Sequence, residues 1–134
     1  DCGGQIQSTQ ALINDGRLAV LAGEDHNIFP TLALGGAGAI AASAHLLTPA
    51  YVRLVRALAE ERTETARQCW RVLTRWISLC FAESNPAPIK AVLARLGLLH
   101  NELRAPLHPA SPELEARLWE AYRQAEEQLA ASQA

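Results

Sequence analysis

Residues 21–44 constrain the fold most, because they place two short apolar runs on either side of an acidic loop, a brief helical segment and a glycine turn. The run at 17–22 lacks polar alternation, and its length and flanking turn residues favour a strand buried on both faces. Residues 28–34 are predicted to be a helix that ends at a glycine pair, and 39–44 a second, fully buried strand. The order strand, helix, strand is typical of a parallel sheet.

The remainder of the chain is predicted to be helical. Residues 6–13 have the pattern of a short helix. Thr48 is expected to cap a helix over 50–60, with Val52 and Val55 on its buried face. A longer apolar stripe with helical period begins at residue 63, and two more helices follow it.

These patterns predict two parts, an α/β part over 1–62 and a helical domain over 63–134. The first part contains only two strands, which cannot make a sheet covered by helices on both faces. The remaining strands must therefore come from elsewhere in the same polypeptide or from a partner.

Composition excludes several classes of function. With 14 acidic and 12 basic residues, the net charge is −2, so the chain has no basic field with which to bind nucleic acid. No apolar run reaches the roughly 18 residues that a transmembrane helix needs. The odd number of cysteines, three, favours reduced thiols in a cytoplasmic protein. Because the chain lacks methionine and begins at Asp1, we expect it to continue a longer polypeptide.

The acidic loop Gly23-Glu-Asp-His26 follows the first predicted strand, at the end where barrel enzymes place their chemistry. We expect it to line a substrate through the Gly23 carbonyl and one carboxylate, from Glu24 or Asp25. The alternatives are a structural loop and a cap for the next helix. A metal site is not expected, because adjacent side chains diverge and the chain has no second cluster at ligand spacing.

Three other features suggest chemistry and are given less weight. Ser43 and His45 end the second predicted strand, but no nucleophile elbow surrounds the serine, so both are read as polar rim residues. The glycines of 36–41 have the spacing of a nucleotide-binding loop, although there the strand should precede the glycines rather than follow them. Lys90, the only lysine, could form a Schiff base, but a helix-surface position is preferred.

Four motifs in fixed order give the chain a family resemblance: L-A-G-E-D at 21–25, L-G-G-A-G-A-I-A-A-S-A at 34–44, N-P-A-P-I-K at 85–90 and E-L-R-A-P-L-H-P at 102–109. The chain resembles the dihydrodipicolinate synthase / N-acetylneuraminate lyase family, the pyruvate-dependent class I aldolases. The resemblance implies an α/β fold: the C-terminal part of a TIM (β/α)8 barrel, from helix six to helix eight, followed by a three-helix appendix.

The same resemblance implies the chemistry. Family members use a lysine that forms a Schiff base with pyruvate and need no other cofactor; here that lysine is expected directly before Asp1, so the 134-residue segment alone is expected to be inactive. The Gly23 carbonyl is expected beside the second substrate, an aldehyde, and the Ile40 backbone beside pyruvate. Glu24, Asp25 and Ser43 are expected on the same rim.

The resemblance also implies partners. The N-terminal half of the same enzyme should complete the barrel, and the family usually forms homotetramers built as dimers of dimers. Ile6 and Leu34 match positions that often form the contact between the dimers.

The choice within the family stays open at this stage. The motifs at 85–90 and 103–107 are closest to members that condense pyruvate with aspartate semialdehyde in lysine biosynthesis. Those members usually end strand eight with V-T-A-N, whereas this chain has A-S-A-H45. An aldolase or dehydratase acting on 2-keto-3-deoxy acids is an alternative, and a sialic-acid lyase is favoured less. The alternative from another class is a non-catalytic helical interaction module over 63–134.

Overall fold

A computed structural model describes residues 1–131 of the chain. It contains a parallel pair of very short strands, β1 (Leu21–Ala22) and β2 (Gly38–Ala39), in the register Leu21↔Gly38 and Ala22↔Ala39. Helix α2 (Ile28–Ala33) lies between them in the chain. The predicted strand–helix–strand unit is therefore confirmed.

The strands are shorter and less buried than the sequence suggests. Ala22 is 2% exposed and belongs to the core, but Leu21 is 37% exposed and Ile40 is 73% exposed. Successive side chains of a strand point to opposite faces, and in the described residues helices cover only the face that carries Ala22. The prediction of strands buried on both faces is therefore wrong for residues 1–131. Residues 43–45 form a 3₁₀ turn instead of continuing β2.

The first residue of the chain extends the sheet on the other side of β1. The Asp1 nitrogen donates to the Leu21 carbonyl (2.6 Å), and the Gly23 nitrogen donates to the Asp1 carbonyl (2.8 Å). This slanted pair of bonds is the pattern of a parallel ladder in which Asp1 stands opposite Ala22. Asp1, Ala22 and Ala39 therefore lie in one row across three parallel segments.

Five further α-helices of the described residues surround or follow this unit: α1 (Ile6–Asp15), α3 (Thr48–Ala59), α4 (Thr63–Cys80), α5 (Ala87–Arg95) and α6 (Pro112–Ala131). The predicted helix positions are confirmed. The predicted cap of α3 is wrong. Leu47, in the left-handed region at φ 55°, precedes the helix, and Thr48 is the first residue of the helix. The Thr48 hydroxyl donates back to the Ala44 carbonyl instead.

The core is built mainly where α3, α4 and α6 pack together. Its largest fully buried side chains there include Leu54, Leu73, Trp76, Ile77 and Leu118. This core continues across residue 62, so the division into parts over 1–62 and 63–134 stays a prediction, and residues 132–134 lie outside the described part. None of the helices described here has both the length and the apolar content needed to span a membrane.

Candidate functional site

Gly23 and Ile40 lie side by side at the C-terminal ends of neighbouring parallel strands. Each directly follows a member of the Ala22↔Ala39 pair, and the Ile40 nitrogen donates to the Ala22 carbonyl (2.8 Å). Open parallel sheets and barrels bind ligands at this end of their strands. The structure thus brings together the two positions expected to meet substrate, although substrate contact itself stays a prediction.

Position 23 accepts only glycine without rearrangement. A Cβ built there would approach the Cys2 Sγ well within 3.0 Å and the Asp1 carbonyl oxygen to 3.1 Å. Real Cβ atoms essentially never approach another atom within 3.0 Å. Gly23 therefore lets the Asp1 segment pack directly against the end of β1, so that Cys2, Gly23 and Ile40 share one rim.

Below this rim lies a buried polar cluster, here called the clamp, formed by Asp25, Ser43 and Tyr51. Asp25 is 3% exposed and Ser43 is fully buried. One Asp25 oxygen, Oδ2, accepts from the Ser43 backbone nitrogen (2.9 Å) and from the Ser43 hydroxyl. The Ser43 Oγ lies 2.5 Å from the Tyr51 hydroxyl oxygen, and the Trp76 indole Nε1 donates to the Ser43 carbonyl (3.0 Å).

The direction of the hydrogen bonds in the clamp follows from its chemistry. An ionised carboxylate can only accept, so the Ser43 hydroxyl donates its one proton to Asp25. The hydroxyl of Tyr51 must then donate to Ser43. Burial raises the pKa of Tyr51 above its usual value. The Ser43 hydrogen bond lowers it by less than burial raises it, and the nearby Asp25 charge adds a further, smaller increase. The phenol therefore keeps the proton that it donates.

A buried thiol lies close to the same carboxylate. Burial is the main cause that raises the pKa of Cys80, and the charge of Asp25 adds to it. A thiol whose pKa is raised is protonated and unreactive. Cys80 is therefore a packing residue of α4 and not a nucleophile.

The clamp differs from the expectation for Asp25 and Ser43. Both were expected to line the substrate, but their side chains are buried and bonded to each other. The reason is the 3₁₀ turn over 43–45, which turns Ser43 inward and leaves His45 exposed. Of the other rim residues, Glu24 is half-buried, and its carboxylate lies 4.0 Å from His26 Nδ1.

Sequence reasoning missed the contributions of Tyr51 and Trp76. The buried face of α3 carries Ala50, Tyr51, Leu54 and Ala57, whereas Val52 is largely exposed. The expected face through Val52 and Val55 is therefore wrong. The signal that could have revealed the correct face is the aromatic Tyr51 itself, three residues before Leu54 and six before Ala57.

Lys90, the only lysine, is distant in sequence from the rim residues and donates a hydrogen bond within the helical region. Lys90 is in α5, and its Nζ donates to the carbonyl of Glu102 in the segment that leads to α6. This bond joins α5 to the segment before α6, and the absence of a catalytic role for Lys90 stays a prediction.

Ile6 and Leu34, the expected interface residues, lie together on the surface. They line one open, largely apolar groove of about 610 Å³, together with Phe29, Pro30 and Ala33. No group of three or more His, Cys, Asp or Glu side chains that could hold a metal ion occurs within residues 1–131.

Two curated relatives of this chain are 4-hydroxy-tetrahydrodipicolinate synthases. A 4-hydroxy-tetrahydrodipicolinate synthase 2 from Clostridium acetobutylicum is 40% identical over 119 residues, which cover 87% of this chain and 42% of that protein. A 4-hydroxy-tetrahydrodipicolinate synthase from Chlorobium luteolum is 41% identical over 107 residues, covering 78% of this chain and 36% of the other. The chain thus spans about two fifths of the length of these relatives.

Solved structures agree with this similarity. The 4-hydroxy-tetrahydrodipicolinate synthase of Methylacidiphilum fumariolicum SolV matches 98% of this chain with a TM-score of 0.91 and 30% identity, over 44% of its own chain. The dihydrodipicolinate synthase of Thermotoga maritima matches 94% with a TM-score of 0.88 and 28% identity, also over 44% of its chain. These neighbours are TIM-barrel enzymes. The model of the dihydrodipicolinate synthetase family matches residues 1–125, and the chain belongs to that family.

Proposed function

We propose that the polypeptide carrying this chain is a 4-hydroxy-tetrahydrodipicolinate synthase, a Schiff-base lyase that condenses pyruvate with aspartate semialdehyde in lysine biosynthesis. The similarity to proteins of that name supports the proposal. The observation that carries it is the adjacency of Gly23 and Ile40 at the C-terminal ends of paired parallel strands.

The reaction requires an amine at this rim. Lys90 is bonded to the Glu102 carbonyl in the helical region, so we propose that the lysine directly precedes Asp1. Its side chain would then have a defined direction. A residue before Asp1 would stand opposite Leu21, because Asp1 stands opposite Ala22. Paired residues of a sheet point to the same face, so the lysine would extend on the face that carries Leu21 and Ile40.

The proposed chemistry proceeds from that amine. The lysine nitrogen adds to the ketone carbon of pyruvate, and water leaves to give an imine. Loss of a methyl proton converts the imine to an enamine, whose carbon attacks the aldehyde carbon of the second substrate. In this scheme the Gly23 carbonyl accepts a hydrogen bond from the second substrate, and the Ile40 backbone borders the pyruvate. Glu24, the residue after Gly23, contributes a half-buried carboxylate on the same loop.

The proposed architecture assigns β1 and β2 to the last two strands of a TIM barrel, α1 to α3 to its last three helices, and α4 to α6 to the appendix. The exposed side chains of Leu21 and Ile40 support this assignment, because the preceding strands of a barrel would cover them. The N-terminal half of the enzyme is then the first partner of this chain.

We further propose a cytoplasmic homotetramer, a dimer of dimers. The shared apolar groove of Ile6 and Leu34 supports a contact between dimers at this surface. The three free cysteines support a reducing compartment.

Trapping with pyruvate and borohydride tests the function. In the natural-length polypeptide, borohydride should reduce the imine and leave a stable pyruvate adduct, which peptide mass spectrometry should locate on the lysine preceding Asp1. An adduct on Lys90, or none at all, would refute the Schiff-base proposal; the second result would favour the helical interaction module. Turnover with aspartate semialdehyde, compared with 2-keto-3-deoxy acids and sialic acid, identifies the substrate.

A further inference from the structure

The strand pairing that holds the rim together is short. Each strand has two residues, and backbone bonds join β1 and β2 as far as Ile40. The loops that follow the strands carry the rim positions. Gly23 begins the first of these loops, and Ile40 begins the second. Something beyond the ladder must fix the distance between the two loops.

The clamp supplies that connection. Asp25 lies two residues after Gly23, and Ser43 lies three residues after Ile40. The Asp25 carboxylate accepts from both the backbone nitrogen and the hydroxyl of Ser43, so a single oxygen joins the two loops twice. Hydrogen bonds to an ionised acceptor are shorter and stronger than bonds between neutral groups.

The clamp is also anchored to the helical layer. Tyr51 of α3 donates to the Ser43 hydroxyl, and Trp76 of α4 donates to the Ser43 carbonyl. Trp76 is 1% exposed, and Tyr51 is also buried. Three elements therefore converge on Ser43, namely the loop that carries Asp25, α3 and α4, and a displacement of this residue changes the position of both loops relative to the helices.

We infer that Asp25 and Ser43 are positioning residues, which hold the Gly23 carbonyl, beside the second substrate, at a fixed separation from the Ile40 backbone, beside the pyruvate. The inference rests on the proposed function, since that separation matters only if both positions meet substrate. The clamp joins the loops after β1 and β2. The lysine is proposed to lie on the strand next to β1, on the side away from β2. The clamp therefore acts on the aldehyde step more than on imine formation.

Ser43→Ala in the natural-length polypeptide tests this role. The variant keeps the backbone bond to Asp25 and loses the hydroxyl. Small misplacements of substrate-positioning groups can cost about 100-fold in rate, so we expect kcat/KM for the aldehyde to fall about 10- to 100-fold. The amount of borohydride-trapped pyruvate adduct should stay within about twofold of the unaltered protein, because the amine is not held by the clamp.

Two variants separate positioning from stability. Ser43→Thr retains the hydroxyl and should restore most of the lost kcat/KM. Thr74→Val removes a hydroxyl that is bonded within α4 to the Trp70 carbonyl and takes no part in the clamp. It should leave the KM for the aldehyde unchanged. A purely structural loss lowers adduct yield and kcat together without changing KM, since it only reduces the amount of folded enzyme.

The outcomes are distinguishable. Absence of an adduct in the unaltered protein overturns the proposed function, and this inference with it. A normal adduct together with unaltered aldehyde kinetics in Ser43→Ala overturns only the positioning role. Should Ser43→Ala fail to fold, Tyr51→Phe provides the second test, because it removes the proton donor to Ser43 and keeps the ring. It should raise the KM for the aldehyde at full adduct yield, and an unchanged KM there counts against the clamp.

Discussion

Replacing Gly23 with alanine perturbs the point where the Asp1 segment meets β1. The new Cβ would lie well within 3.0 Å of the Cys2 Sγ and 3.1 Å from the Asp1 carbonyl oxygen. Ordinary contacts between carbon atoms lie at about 3.5–4.0 Å. The Asp1 carbonyl is held by the bond from the Gly23 nitrogen, and the Cys2 sulfur occupies the space that the new methyl group would need, so both contacts oppose the substitution.

The magnitude follows from these two contacts. Overpacking by one methyl group costs typically about 1–3 kcal/mol, and we expect Gly23→Ala to fall within this range. Cys2→Ala removes the sulfur and leaves the contact with Asp1. The double variant should therefore recover part of the loss, with a coupling of about 1 kcal/mol between the two positions.

Urea unfolding of the natural-length protein, at fixed protomer concentration, measures all four members of this cycle. The pyruvate adduct yield reports in parallel whether the strand before Asp1 has moved. If the two substitutions are additive within about 0.5 kcal/mol, Cys2 does not pack against position 23 and the argument for this glycine is refuted.

Three further predictions concern the core, the pH dependence and the surface. Trp76→Phe should lower the unfolding free energy by about 2–4 kcal/mol, because it leaves the buried Ser43 carbonyl without its donor and opens a cavity. Trp70→Phe, at a half-buried tryptophan, is the control. Equal losses in the two variants would contradict the reasoning. Burial is the main cause that raises the pKa of Tyr122 from 10.0 to about 12. The unfolding free energy should therefore fall between about pH 10 and pH 12, where the unfolded state has lost the proton that the folded state keeps. Tyr122→Phe should flatten that part of the curve of unfolding free energy against pH. Leu34→Glu should shift sedimentation from the proposed tetramer towards dimer, whereas Leu98→Glu, at a more exposed surface leucine (67% against 36%), should not.

The local pattern of the sequence was sufficient for the order of elements. Glycine turns, prolines and helical periodicity predicted all six helices and the parallel strand–helix–strand unit, because these signals act over a few residues. The four motifs predicted the family. The closeness of Gly23 and Ile40 was implied by the family resemblance alone, because the strand predicted over 39–44 would have placed Ile40 near its start, whereas β2 ends at Ala39.

Burial and side-chain direction were decided by the tertiary structure. Whether Ser43 continues a strand or turns inward depends on the carboxylate of Asp25, 18 residues away, and on the indole of Trp76, 33 residues away. The buried face of α3 likewise depends on which helix packs against it, and α4 selects the face with Tyr51 and Leu54. The sequence by itself determined which segments become helix or strand and which ends of the strands meet. Only tertiary packing decided which polar groups lie inside, because a buried carboxylate is stable only where distant donors converge on it.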